Sequence, residues 1–275
     1  MIIHPYKLGS RGAKALRDSL RKRGVKCWTI QRPPRGQNAL IVNWGASEFE
    51  YNPGGFRVLN VNVSKMSNKI SFFEATKGSE DVLDWTRDRE VAIAWGTKVF
   101  CRTKVEASGG EGIIVFDPET DGADQMPYAP LYTKYAPKTH EYRLHLARSL
   151  NGEGFQAMLV QRKVFVKTPE RPSPLDWKVR NHANGFIFQS YPPIAVRERV
   201  PRNVMEAAGR VMGTYFADLH FAALDVMYHD KKDKAYVIEG NTAPGLENQT
   251  ISVYSDYLAA LEQEHRREQY RQTAR

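Results

Sequence analysis

The stretch from Ala223 to Gln249, ALDVMYHDKKDKAYVIEGNTAPGLENQ, constrains this chain most tightly. Two apolar runs flank a polar turn around Lys231 to Asp233, which predicts a hairpin centred near residue 232. In that register Asp225 lies opposite Glu239. Side chains alternate along a strand, so Glu239 shares a face with Asn241, and two carboxylates converge with one amide oxygen. A charge inside an apolar strand is costly unless it is paired or bound to a cation. Oxygen-only donors suit magnesium, which keeps several waters and completes its shell with phosphate oxygens. Asp225, Glu239 and Asn241 are therefore candidate metal ligands. The competing reading, ordinary strand carboxylates on a solvated face, fits the apolar flanks less well.

With 275 residues the chain has room for roughly two compact units. Ile2 and Ile3 lead into a Gly9-Ser10 turn, and Ala13, Leu16 and Leu20 then recur at helical spacing up to Gly24. A short strand over Cys27 to Ile30, a QRPPRGQ loop and an apolar strand over Ala39 to Trp44 complete a small α/β domain over residues 1–63. A linker-like stretch from Ser47 to Gly55 lies near its end. Residues 64–130 hold a helix over KISFFEAT, a helix around Trp85, Val91 and Trp95, and strands over Lys98 to Thr103 and Ile113 to Phe116. The Gly-rich segment Glu106 to Gly112 joins those two strands as a hairpin loop. Residues 131–275 read as the strands LYTKY, EYRLHLA, FQAMLVQRKVFV and GFIFQSY, a helix over Val204 to Leu219, the hairpin, and a charged helix from Ser255. The fold class is mixed α/β (α+β).

Hydrophobic residues make up 41% of the chain and aromatics 11%, which excludes disorder. Cys27 and Cys101 are too few and too far apart for a disulfide framework or metal cluster, and Cys101 sits in a strand pattern as a small hydrophobe. MIIHPYKLGS is no secretory signal, and no window reaches the ~18 apolar residues of a membrane span. The expected location is the cytoplasm, of a bacterium or of a phage-infected host, with no membrane partner. The net charge of +9 favours a polyanionic partner or an acidic substrate. No zinc-finger spacing or aromatic RNA-binding motif organises the basic residues, so nucleic acid is not the favoured partner.

An acid on one strand, with Glu-x-Asn ending the next, resembles the metal site of the ATP-grasp carboxylate-amine ligases. The similarity runs from about Ser67 to Ser252 and is nearest to the phage and bacterial amide ligases allied to the ribosomal-protein glutamate ligases. It implies an ATP-grasp fold with residues 64–130 as the nucleotide-binding subdomain, and ATP and Mg2+ as cofactors. SNKISFF resembles the N-terminal nucleotide motif, which implies that Lys69 reaches a phosphate; a solvated first-turn lysine is the alternative. KVFCRTKVEASGGEGI resembles the strand and flexible loop over the triphosphate. That assigns Ser108, Gly109, Gly110 and Gly112 to phosphate binding, with Arg102 and Lys104 competing for the cationic contact where the commoner pattern has lysine. LYTKY resembles the adenine hinge, which implicates Tyr132 and Lys134; a buried strand is the alternative.

VQRKVFVK followed by WKVRNHANGF resembles the segment around the transferred phosphoryl group, which implies Arg180 as the main catalytic residue, supported by Lys163. Asn184 and Gly185 shape that turn, and His182 reads as scaffold. Glu141 and Arg143 share a strand face as an internal ion pair or a substrate contact. Glu247 and Asn248 are able to approach a second metal or the amine; a carboxylate that caps the following turn is the alternative. The implied reaction joins a small-molecule or peptide carboxylate to an amine through an acyl phosphate, releasing ADP and phosphate. A nucleic-acid or protein-binding module on a non-catalytic scaffold, or a ligase acting on modified nucleic acid, is the alternative. The N-terminal domain, with Ser10, Arg11, Lys14 and Asn43 to Gly45, is expected to help recognise a substrate whose identity its residues do not spell out.

Overall fold

The computed structural model describes residues 1–31, 39–49, 57–66, 68–105, 111–174, 177–191 and 199–274. Strand β1 (Ile2–Pro5), helix α1 (Arg11–Lys22), and strands β2 (Trp28–Thr29), β3 (Leu40–Trp44) and β4 (Arg57–Leu59) build the N-terminal unit. All four strands are parallel, in the order β2-β1-β3-β4. Ser10 starts α1, its Oγ accepting from the Ala13 amide at 3.4 Å. The QRPPRGQ loop and most of the Ser47 to Gly55 linker lie outside the described residues.

A second sheet follows helix α2 (Lys69–Ala75) and carries helix α3 (Arg89–Ala94). Its strands are β5 (Trp85–Thr86), β6 (Val99–Arg102), β7 (Ile113–Phe116) and β8 (Leu131–Lys134), antiparallel in the order β5-β8-β6-β7. The hairpin expected around the Gly-rich loop is present as β6–β7. Trp85 is not helical as expected: it pairs with Thr133. The helix starts only after Asp88, whose carboxylate accepts from the Glu90 and Val91 amides and so fixes the boundary. β8 follows residue 130 yet sits between β5 and β6.

Strands β9 (His140–Arg148), β10 (Phe155–Phe165) and β11 (Phe186–Tyr191) precede helix α4 (Arg202–Tyr215). Strands β12 (Phe221–His229) and β13 (Lys234–Asn241) and helix α5 (Gln249–Thr273) end the chain. The five strands form one antiparallel sheet, β11-β10-β9-β12-β13. Asp225 pairs with Glu239 as the hairpin predicts, and a bulge then takes up Ile238.

Alternation divides the faces of this sheet. Tyr142, Leu144, Leu224 and Val226 pack against Val204 and Val211 of α4 and Phe72 and Phe73 of α2 in the largest core. Intervening residues carry the charge: Glu141, Arg143, Lys163 and Asp225 face the other way. Helix α5 starts earlier than expected, and its Tyr254, Leu258 and Leu261 pack with Leu16, Leu20 and Trp44, sealing the N-terminal unit. No described helix is long and apolar enough to cross a membrane.

Candidate functional site

The charged face of the large sheet, the end of β6 and residues 178–182 surround a cavity of about 710 Å³. Lys69, Arg102, Lys163, Arg180, Asp225, Glu239 and Asn241 all line it, although they span most of the chain. Lys138, Arg143 and Lys178 join them, as do Glu141 and Glu247, so seven cations face four carboxylates among the described residues. That imbalance favours an anionic occupant.

Two buried carboxylates organise the cations. Asp225 accepts two parallel bonds from Arg143, from Nε at 2.6 Å and Nη2 at 2.9 Å, and Lys163 lies 3.8 Å away. Burial pushes its pKa up, but Arg143 and Lys163 outweigh that and hold it below the usual carboxylate range. Glu141 is bound by the Lys138 ammonium at 2.7 Å and by Lys163. Burial raises its pKa, and the two ammonium groups more than reverse the effect. Glu141 and Arg143 are not paired with each other, as the sequence allowed. Arg143 lies opposite Asp225 across the β9–β12 ladder, whereas Glu141 lies opposite Met227 and turns to the lysines.

Arg180 donates through Nη2 to the carbonyls of Thr139 at 3.0 Å and Lys138 at 3.3 Å. Its turn is shaped by Asn184, whose Nδ2 donates to the Val179 carbonyl at 2.7 Å. His182 is exposed and receives the Gly185 amide on its carbonyl, a scaffold geometry. Lys69 opens α2 behind the Asn68 cap and is 8% exposed, with Nζ 3.6 Å from Glu239 Oε2.

Arg102 and Lys104 separate clearly. Val99 and Cys101 of β6 face the α3 core, so alternation sends Phe100 and Arg102 into the cavity. Arg102 is 5% exposed, its Nε has no hydrogen-bond partner, and no ion pair holds it among the described residues. Burial pushes its pKa down, opposed at longer range by Glu239 and Glu141. Lys104 is at the surface, paired with Glu111. Gly112, at φ +75°, leaves a Cβ only 2.8 Å from the Lys104 Cβ, so no other residue fits that turn. Ser108, Gly109 and Gly110 lie outside the described residues.

Tyr132 and Lys134 do not line the cavity. The Tyr132 hydroxyl donates to the Pro127 carbonyl and accepts from the Ala129 amide, and β5 and β6 flank its strand on both sides. Lys134 turns to Asp84 at 2.8 Å and lies over the Trp95 ring.

Glu239 keeps 40% of its side chain exposed beside buried Asp225, and Asn241 presents an amide whose Oδ1 accepts from the Ala243 amide at 2.8 Å. No group of three or more His, Cys, Asp or Glu able to hold a metal occurs among the described residues. Two carboxylates and an amide fit an ion that takes its remaining ligands from water and phosphate. Sequence reasoning missed Lys138 and Gln161 as cavity residues. Gln161 was legible, since it stands two residues before Lys163 on one strand. Lys138 was not, because it lies in an irregular segment.

No protein-family model matches the chain, and no curated protein matches it. Solved structures do. The ATP-grasp ligase PsnB, solved with a minimal precursor, Mg and ADP, superposes with a TM-score of 0.63 at 12% identity, over 94% of this chain and 96% of that one. The chain has the ATP-grasp fold. A RimK domain protein from Sphaerobacter thermophilus gives 0.55 at 13% identity, over 94% and 97% of the two chains. D-alanyl-alanine synthetase A from Vibrio cholerae gives 0.58 at 10% identity, over 95% and 97%. The ATP-grasp architecture therefore extends through the N-terminal unit as well as the two later sheets.

Proposed function

We propose that the chain is an ATP-dependent carboxylate-amine ligase, with ATP and the reacting carboxylate meeting in the cavity. The observation that carries this reading is Arg102, a buried guanidinium lacking a hydrogen-bond partner among the described residues and turned towards Lys69, Lys163 and Arg180. A buried cation without a counterion is costly, and a polyphosphate supplies one. The solved relatives bound to ADP and magnesium support the same reading.

Magnesium held by Glu239, Asn241 and Asp225 would neutralise phosphate oxygens and hold them for in-line transfer. Lys69 and Arg102 bind the phosphates, and the hydrogen bonds of Arg180 to the 138–139 backbone fix its guanidinium near the phosphoryl group in transit. The carboxylate oxygen attacks the γ-phosphorus and ADP leaves. The amine then attacks the acyl carbon, and phosphate leaves with the original carboxylate oxygen. Arg180 and Lys163 stabilise negative charge as it develops, and most of the catalysis is positioning and preorganised charge. Screening pairs of acids and amines with MgATP, reading ADP and product mass, tests the proposal. The expected product has the mass of acid plus amine less water. Nucleotide binding with no such product from any pair would favour a non-catalytic scaffold.

A further inference from the structure

Beside the first cavity lies a second of about 430 Å³, between the β1–α1 turn and residues 243–245. Gly245 lines both, so the two spaces meet there. Gly45, at φ +78°, makes this closeness possible: a Cβ there would sit 2.6 Å from that of Ala243.

The second cavity is lined by donors. Trp44 is 1% exposed, yet its indole N–H has no hydrogen-bond partner among the described residues. That nitrogen faces Gly12, where a Cβ would lie 3.7 Å away and begin to fill the space. Ser10 satisfies the Ala13 and Lys14 amides, which leaves the first helical amides, Arg11 and Gly12, without an intrahelical acceptor. Lys7 and Arg11 add two cations, no carboxylate lines the cavity among the described residues, and the first turn of α1 holds no acid. An unpartnered indole N–H, two backbone amides and two cations converge on a space of amino-acid size. Their shared complement is a planar anion with two oxygens.

We propose that this second cavity anchors a substrate through a carboxylate that takes no part in bond formation, borne by a free amino acid or by the C-terminal residue of a peptide. This rests on the ligase reading of the adjoining cavity, which receives the reacting end past Gly245. The anchoring carboxylate leaves the reaction unchanged.

The test follows the tryptophan indole N–H resonances of the full chain with MgADP present, the Trp44 signal being assigned with Trp44→Phe. The probes are pools of free L-amino acids, pools of dipeptides, and the same compounds as C-terminal amides. At least one acid should move the Trp44 signal, its amide should not, and the pool that responds separates amino acid from peptide. The double variant Lys7→Gln, Arg11→Gln should weaken that acid by about tenfold or more, with MgADP affinity as the check on folding. A Trp44 signal moved by no acid, moved equally by amides, moved only by inorganic phosphate, or titrating unchanged in the double variant overturns the assignment. Acid binding without ligation would instead refute the ligase reading, and ligation of amide-capped substrates would refute only the anchor.

Discussion

Glu141→Gln removes the negative charge on which Lys138 and Lys163 converge while keeping the size of the side chain. Glu141 is 2% exposed, and the side chains of Lys138 and Lys163 are 9% and 16% exposed, so water cannot replace the lost charge. Removing one partner of a buried pair costs about 3–5 kcal/mol. The carboxamide oxygen still accepts one ammonium hydrogen bond, which places the expected loss near the lower bound, about 3 kcal/mol. At about 2–4 °C per kcal/mol for a chain of this size, the melting temperature should fall by roughly 6–12 °C. Thermal unfolding with and without tripolyphosphate is the assay. Polyphosphate should restore more stability to the variant than to the wild type, because it supplies the missing counterion. A variant that melts within about 1 °C of wild type would refute the view that Glu141 holds the cationic cradle together.

Three further outcomes follow from the geometry. Glu239→Gln should keep its fold, since the residue is half exposed, and lose more than about 100-fold in magnesium-dependent turnover; normal turnover would remove the metal assignment. Arg180→Ala should lower kcat by about 100-fold or more with little change in MgATP affinity, since a contact made in the transition state appears in kcat. His145 is buried between Tyr254 and Gln161, and burial pushes its pKa down to about 4 from 6.5. The unfolded chain then binds more protons between these values. The stability this group contributes is full above pH 6.5 and is lost as the pH falls towards 4, by about 2 kcal/mol at pH 5. Urea unfolding of His145→Gln should lack that part of the loss.

The hairpin was legible because two local signals agreed. Period-two alternation and a polar turn fixed Asp225 against Glu239, and the bulge at Ile238 falls on the turn side of that pair. The strands β9 and β10 were legible for the same reason, but their partners were not. Alternation puts Glu141 and Arg143 on one face without saying that Asp225 and the lysines claim them separately. Nor does it choose between Arg102 and Lys104, which share a face in an ideal strand. The strand ends at Arg102, and Lys104 beyond it leaves the sheet for Glu111. Trp85 misled because it stands shortly before Val91 and Trp95, which do share a helical face, whereas the Asp88 cap fixes the true start. The second cavity was legible in part: Ser10, Arg11 and the Asn43 to Gly45 segment stood out in the sequence, but their partners did not, since Trp44 and Pro244 meet only through packing of the N-terminal unit against the loop after β13.

The most direct test of the central claim is the fate of the carboxylate oxygen. A productive acid, found by screening and labelled with oxygen-18 in its carboxylate, is turned over with its amine and MgATP, and the released phosphate is weighed. Transfer through an acyl phosphate predicts ADP and one labelled oxygen in each phosphate. Unlabelled phosphate, or AMP with labelled oxygen in the AMP, would contradict it.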